Sequence, residues 1–142
     1  MISSIKSPLV PWVYWDFGYK NGTNPIADWH TGLSDDAKNL LHDLLKTNKK
    51  TDKPTDWRDL KFLKGTAKEY KIWELRFKAN GVQHRLFGIF GPERKQATFL
   101  VGCTHKQKIY NPPDCIETAI ARSKLVNEKR WVGHERKIRL DI

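Results

Sequence analysis

Between residues 74 and 110 the chain carries charged, imidazole and phenol side chains at the spacing of paired strands. Glu74, Arg76 and Lys78 recur at every second position, His84 and Arg85 follow an Asn80-Gly81 turn signal, and His105, Lys106, Lys108 and Tyr110 end a further extended run. Alternate residues of a strand share a face, and directly opposed residues of antiparallel neighbours lie about 5 Å apart at Cβ. Folded as hairpins, these segments would gather cations, a carboxylate, an imidazole and a phenol on one surface, a set suited to phosphate chemistry. Cleaving RNA through its own 2′-hydroxyl takes a base for that proton, cations for the charge building on the phosphoryl oxygens and an acid for the departing 5′-oxygen. It needs no metal. The same residues on an open sheet face would simply be solvated, with cross-strand pairs contributing about a few tenths of a kcal/mol, so pattern alone leaves both readings standing.

The elements that must position these residues can be read outward from them. In Ile72 to Lys78, Trp73, Leu75 and Phe77 point one way and the three charged residues the other, predicting one buried and one charged face. Asn80-Gly81 makes a tight turn to a second strand, about Gln83 to Phe90, and Gly91-Pro92 to Lys95 the next hairpin. Ala97 to Cys103 is apolar at both parities, as in a central strand covered on both faces. Asn111 and Pro112 then open a helix with Ile116, Ala119 and Ile120 on one side.

Upstream, Pro11 to Tyr19 reads as a first strand, and Asn24 before Pro25 as the cap of a short helix ending at Gly32. Ser34 caps a longer helix with Asp35 and Asp36 in its first turn and Ala37, Leu40, Leu41, Leu44 and Leu45 as its apolar stripe. Lys46 to Pro54 is expected to be a solvated loop, after which Leu60, Phe62 and Leu63 return to the core. His30, His42 and His134 have no chemical context and read as packing or surface histidines. Most of the six tryptophans belong to the core, and Trp131, among Lys129, Arg130, Arg136, Lys137 and Arg139, is the one kept as a nucleic-acid or partner contact.

Twenty-six basic against 16 acidic residues give a net charge of +10 and a pI of about 9.7, a balance that favours a polyanionic partner. The 142 residues suit one domain, and 16 aromatic side chains argue against disorder. The absence of a long apolar run predicts a cytoplasmic protein without a membrane partner. Cys103 and Cys115 lack metal-ligand spacing and read as reduced core thiols.

Taken together, Ile72-Trp73-Glu74-Leu75-Arg76-Phe77, Gln83-His84-Arg85-Leu86-Phe87, Val101-Gly102 through His105-Lys106-Gln107-Lys108, and the Pro112 helix through Ala119 to Leu125 resemble the RelE/HigB-type toxins of the RelE/ParE superfamily, especially its phage-associated branch. The resemblance runs from Trp12 to Val126 and divides the chain into a toxin-like domain, 1–126, and a basic extension, 127–142. It implies an α+β fold with an N-terminal strand and two helices packed on a mainly antiparallel sheet, and a C-terminal helix. It also implies a cytoplasmic mRNA endoribonuclease, ribosome-dependent and without cofactor, silenced by a DNA-binding, HigA-like antitoxin.

Position by position, the resemblance makes Arg85 the contact to the scissile phosphate and Lys106 the counterpart of a second phosphate-binding arginine. Tyr110 falls where some members carry a tyrosine that stacks on a base or orients the 2′-hydroxyl, while Glu74 and His105 are the candidate bases. Arg76, Lys78, His84 and Lys108 complete the expected RNA-binding set. A lysine at position 106 lacks the bidentate geometry of arginine. The alternatives are a non-catalytic binder on the same sheet, including a topoisomerase inhibitor of the ParE kind, and a phage-derived toxin whose site has decayed.

Overall fold

The structure, a computed structural model, describes residues 10–138. Strand β1 (Val13–Gly18) leads through a turn into helix α1 (Pro25–Thr31), and helix α2 (Asp35–Lys49) follows directly. The Asn24 and Ser34 side chains accept hydrogen bonds from the amides of Ala27 (2.9 Å) and Ala37 (3.2 Å), the capping expected of these residues. A short strand β2 (Leu60–Phe62) and a 3-10 turn (Gly65–Tyr70) precede a meander of β3 (Trp73–Ala79), β4 (Val82–Phe90) and β5 (Gln96–Lys106). Strand β6 (Ile109–Asn111), helix α3 (Cys115–Asn127) and strand β7 (Val132–Arg136) complete the chain.

The sheet runs β2-β3-β4-β5-β1-β7, with β6 paired to β5 beside this path. Among the described residues only β1 against β5 is parallel; the other pairings are antiparallel, which makes the fold an α+β domain with a mainly antiparallel, open sheet. Asn80 and Gly81 both have positive φ (52° and 75°), the backbone that a two-residue hairpin between twisted strands requires.

Both faces of the sheet are covered. One carries α1 and α2 over Trp12, Tyr14, Trp57, Trp73, Leu75 and Phe99, and the other carries α3 over Phe17, Ile72, Phe87, Leu100 and Cys103. Each fully buried side chain of this size contributes about 1.5–3 kcal/mol relative to exposure. The pairing slips between β4 and β5: Phe87 opposes Val101 but Gly88 opposes Phe99, so Leu100 is a bulged extra residue. Upstream of it Ala97 and Phe99 pack under α1 and α2; from it onward Leu100, Val101 and Cys103 pack under α3. The Leu100 carbonyl accepts a hydrogen bond from Arg122 Nη1 at 2.7 Å.

Several boundaries differ from the sequence expectation. Helix α2 continues through Lys49 rather than giving way at Lys46, because tertiary bonds hold its last turn. The buried Asn48 side chain donates to the Arg58 carbonyl (3.1 Å) and accepts from the Arg58 amide (2.7 Å), and Lys49 Nζ donates to the Trp12 carbonyl at 2.6 Å. Leu40, placed on the apolar stripe, and Phe62, expected in the core, are both exposed. Helix α3 begins at Cys115, not at Pro112, since the residue before Pro113 is disfavoured in helical conformation.

The basic extension from residue 127, whose charges show no strand or helix period, supplies β7 in its described part. Asp16 anchors it from β1: Arg136 Nε and Nη2 donate to the two Asp16 oxygens at 2.8 and 2.7 Å, and Asn24 Nδ2 donates at 3.2 Å. Trp131 does not stand out as a free contact; it is half-buried and stacks on Phe17, with ring centroids 6.2 Å apart. Among the described residues no helix is long and apolar enough to cross a membrane.

Candidate functional site

The cross-strand register builds the site. Arg76 of β3 pairs with Arg85 of β4, Arg85 with Cys103 of β5, and His105 of β5 with Tyr110 of β6. The bulge at Leu100 turns the end of β5 over, so that Cys103 and His105 share the α3 side of the sheet with Glu74, Arg76 and Arg85. Without that extra residue, strict alternation from Phe99 would send them to the opposite face.

The charged face expected to be open is closed at its centre, and Glu74 is buried there with 1% of its surface exposed. Its Oε1 accepts from Arg76 Nε at 2.8 Å and lies 2.7 Å from Arg76 Nη2, while its Oε2 accepts from the Tyr110 hydroxyl at 3.0 Å and lies 3.8 Å from Arg85 Nε. Burial, reinforced by this carboxylate, holds the Tyr110 pKa well above the usual phenol value, so Tyr110 stays protonated and acts as a hydrogen-bond donor here. Arg85 is itself buried; its Nη1 donates to the His84 carbonyl and its Nη2 to Gln83 Oε1, both at 3.0 Å. Arg76 is the accessible cation of the group, its side chain 41% exposed. The His105 ring lies 4.6 Å from that of Tyr110 and is half-buried.

A shallow cleft of about 360 Å³ opens beside these groups, lined by Asp59, Arg76, Lys78, Gln83 and Arg85. Lys78 thus lies at its edge. Gln83, not singled out in the sequence, is a neighbour that strand periodicity signals: it stands two residues from Arg85 and pairs with Lys78. Lys61 of β2, opposite Glu74, is a further cation that the sequence left unplaced because β2 is too short to show a pattern.

Three expected members lie elsewhere. His84 alternates with Arg85 and therefore faces α1, where it stacks on Phe77 (5.0 Å between centroids) and lines a cleft of about 630 Å³ with Trp29, Thr104 and Asn111. Burial, then the neighbouring Arg85 charge, lowers its pKa. The floor of that cleft is Gly102, where a Cβ would come within 2.1 Å of the Trp29 ring. Lys106 is exposed and alternates with His105, and Lys108 is exposed in the β5–β6 turn.

Beneath α3, Cys103 and Cys115 are both free and buried, and a hydrogen bond between them together with burial raises the Cys115 thiol pKa. Among the described residues no three His, Cys, Asp or Glu side chains converge to hold a metal ion. The arrangement can bind an anion through Arg76 and Lys78 and donate a hydrogen bond from Tyr110, with the His105 imidazole beside the tyrosine ring. No protein-family model, no curated protein and no solved structure matches this chain.

Proposed function

We propose that the chain is an RNA-cleaving toxin of the RelE/HigB kind, acting on mRNA through the RNA's own 2′-hydroxyl and silenced by a cognate antitoxin. The observation that carries this reading is the convergence of two arginines and a tyrosine from β3, β4 and β6 on the Glu74 carboxylate, with the His105 ring of β5 against that tyrosine. The net charge of +10 supports a polyanionic substrate. In this mechanism Arg76, with Arg85 behind it, neutralises the phosphoryl oxygens, and Tyr110 donates to the phosphate or the departing oxygen. His105 takes the 2′-hydroxyl proton. Glu74 is poorly placed to act as the base, because it is buried and its two oxygens are already taken up by Arg76 and Tyr110.

A second reading, a non-catalytic binder or a toxin whose site has decayed, is favoured by one observation: the Arg85 guanidinium is buried and engaged with Glu74, Gln83 and the His84 carbonyl. Induced expression in bacteria of the wild type beside Arg85→Ala, with growth followed and mRNA 5′ ends mapped, separates the two. Rapid arrest with new mRNA ends that vanish in the variant supports the nuclease. Arrest without cleavage, or no arrest, supports the binder or the decayed site.

A further inference from the structure

The Glu74 carboxylate stands where an incoming anion would have to be held. Its two oxygens take up Arg76 Nε and Nη2 and the Tyr110 hydroxyl, and they are the nearest negative charge to Arg85 Nε, which makes no hydrogen bond within the described residues. These are the donors that a phosphodiester would need. Arginine binds carboxylate and phosphate in the same forked geometry, so the two anions compete for one set of N–H and O–H groups. Glu74 cannot retreat into solvent, being enclosed by Arg76, Arg85 and Tyr110 and by the packed residues beneath α3. Arg76 can move, because nearly half of its side chain is exposed.

We propose that Glu74 is the resident anion of a phosphodiester seat: it holds Arg76, Arg85 and Tyr110 in a bound-like arrangement and is partly replaced when a nucleic-acid phosphate enters. This rests on the RNA-cleaving reading and adds to it a positioning residue that sets affinity. The carboxylate keeps two buried-side cations and a phenol ordered without substrate, and its cost is weaker binding, since every phosphate must first win Arg76 and Tyr110 from it. Removing the charge while keeping the shape should therefore strengthen binding, an effect opposite in sign to that of losing a structural residue.

The test is the affinity of a short single-stranded RNA with a 2′-O-methyl group at every position, which cannot be cleaved through its 2′-hydroxyls, for the wild type and for Glu74→Gln at fixed salt. The expected result is binding about tenfold tighter in Glu74→Gln, equivalent to about 1.4 kcal/mol, with Tyr110→Phe weaker than wild type. Equal or weaker binding by a Glu74→Gln protein that melts like the wild type overturns the inference while leaving the RNA reading intact. Should Glu74→Gln fail to fold, the arginine Nε–H resonances of the wild type decide. Shifts of Arg76 and Arg85 on titration with the same oligonucleotide support the exchange, and binding that moves neither overturns it. Absence of any binding by the wild type, both alone and on ribosomes programmed with the same oligonucleotide, sinks both the inference and the RNA reading.

Discussion

The two faces of the sheet bury their residues by different physics. Under α1 and α2 the strands present Trp73, Leu75 and Phe99 to an aromatic cluster in which Trp57 meets Trp12, Tyr14, Trp73 and Phe90 within 6 Å between centroids. Under the α3 side the same strands, one residue out of step, bury Glu74 and Arg85 beside Phe87 and Cys103. The first face is stabilised by apolar area and needs no partner. A carboxylate and a guanidinium, by contrast, are kept in the second by polar partners, Arg76 and Tyr110 for Glu74 and Gln83 and the His84 carbonyl for Arg85, and replacing buried ion pairs by apolar residues is often neutral or stabilising. A charged cluster on a face that could have been apolar is the arrangement expected of a site rather than of a core.

The largest expected effect probes the first face. Trp73→Ala should destabilise the fold by about 3–5 kcal/mol in denaturant unfolding, because its ring is fully buried and packs so closely on Gly88 that a Cβ there would lie 2.4 Å away. Next, Arg85→Ala should cost about 2 kcal/mol of stability, and if the α3 side is a site it should abolish RNA cleavage while the protein stays folded at 25 °C. Activity that survives Arg85→Ala would reduce the second face to a polar variant of the first. Tyr110→Phe removes one hydrogen bond to a buried carboxylate and should cost about 1.5 kcal/mol, measured by the same unfolding curves.

The smallest effect is the pH dependence carried by His84. Its folded pKa lies below the ordinary value of 6.5, so below pH 6.5 the unfolded chain takes up a proton that the folded one resists. Its contribution is fully present above pH 6.5 and is lost as pH falls from there through the folded pKa. His84→Gln should flatten the pH dependence of stability on the acid side of 6.5, and His30, lowered in the same direction, should account for part of what remains. An unchanged slope in His84→Gln would mean that the ring is not sheltered as its packing on Phe77 indicates.

Much of this was legible in the sequence for local reasons. Caps at Asn24 and Ser34, the Asn80-Gly81 turn and the alternation of Trp73 to Lys78 act within a few residues, and the elements follow them. Glu74, Arg76, Arg85, His105 and Tyr110 were also identifiable by type. What the sequence does not carry is which face each reaches. The Leu100 bulge, which turns His105 towards Tyr110, depends on the β4–β5 register and on Arg122 from α3 meeting the Leu100 carbonyl, a contact 22 residues away. The burial of Glu74 was hidden for the same reason, since Tyr110 reaches it from 36 residues on. Strand β7 was unreadable because its charges, Glu135 and Arg136, suggest a solvated tail until Asp16 is found opposite them.

The claim at the centre of this account is that the α3-side cluster cleaves RNA by activating its 2′-hydroxyl. The direct measurement is the chemistry of the ends produced when purified protein is mixed with mRNA, with and without translating ribosomes, in the presence of a metal chelator. The account predicts new 2′,3′-cyclic phosphate ends from the wild type, absent with Arg85→Ala and reduced with His105→Ala. No new ends under either condition, or ends bearing a 3′-hydroxyl, would contradict it.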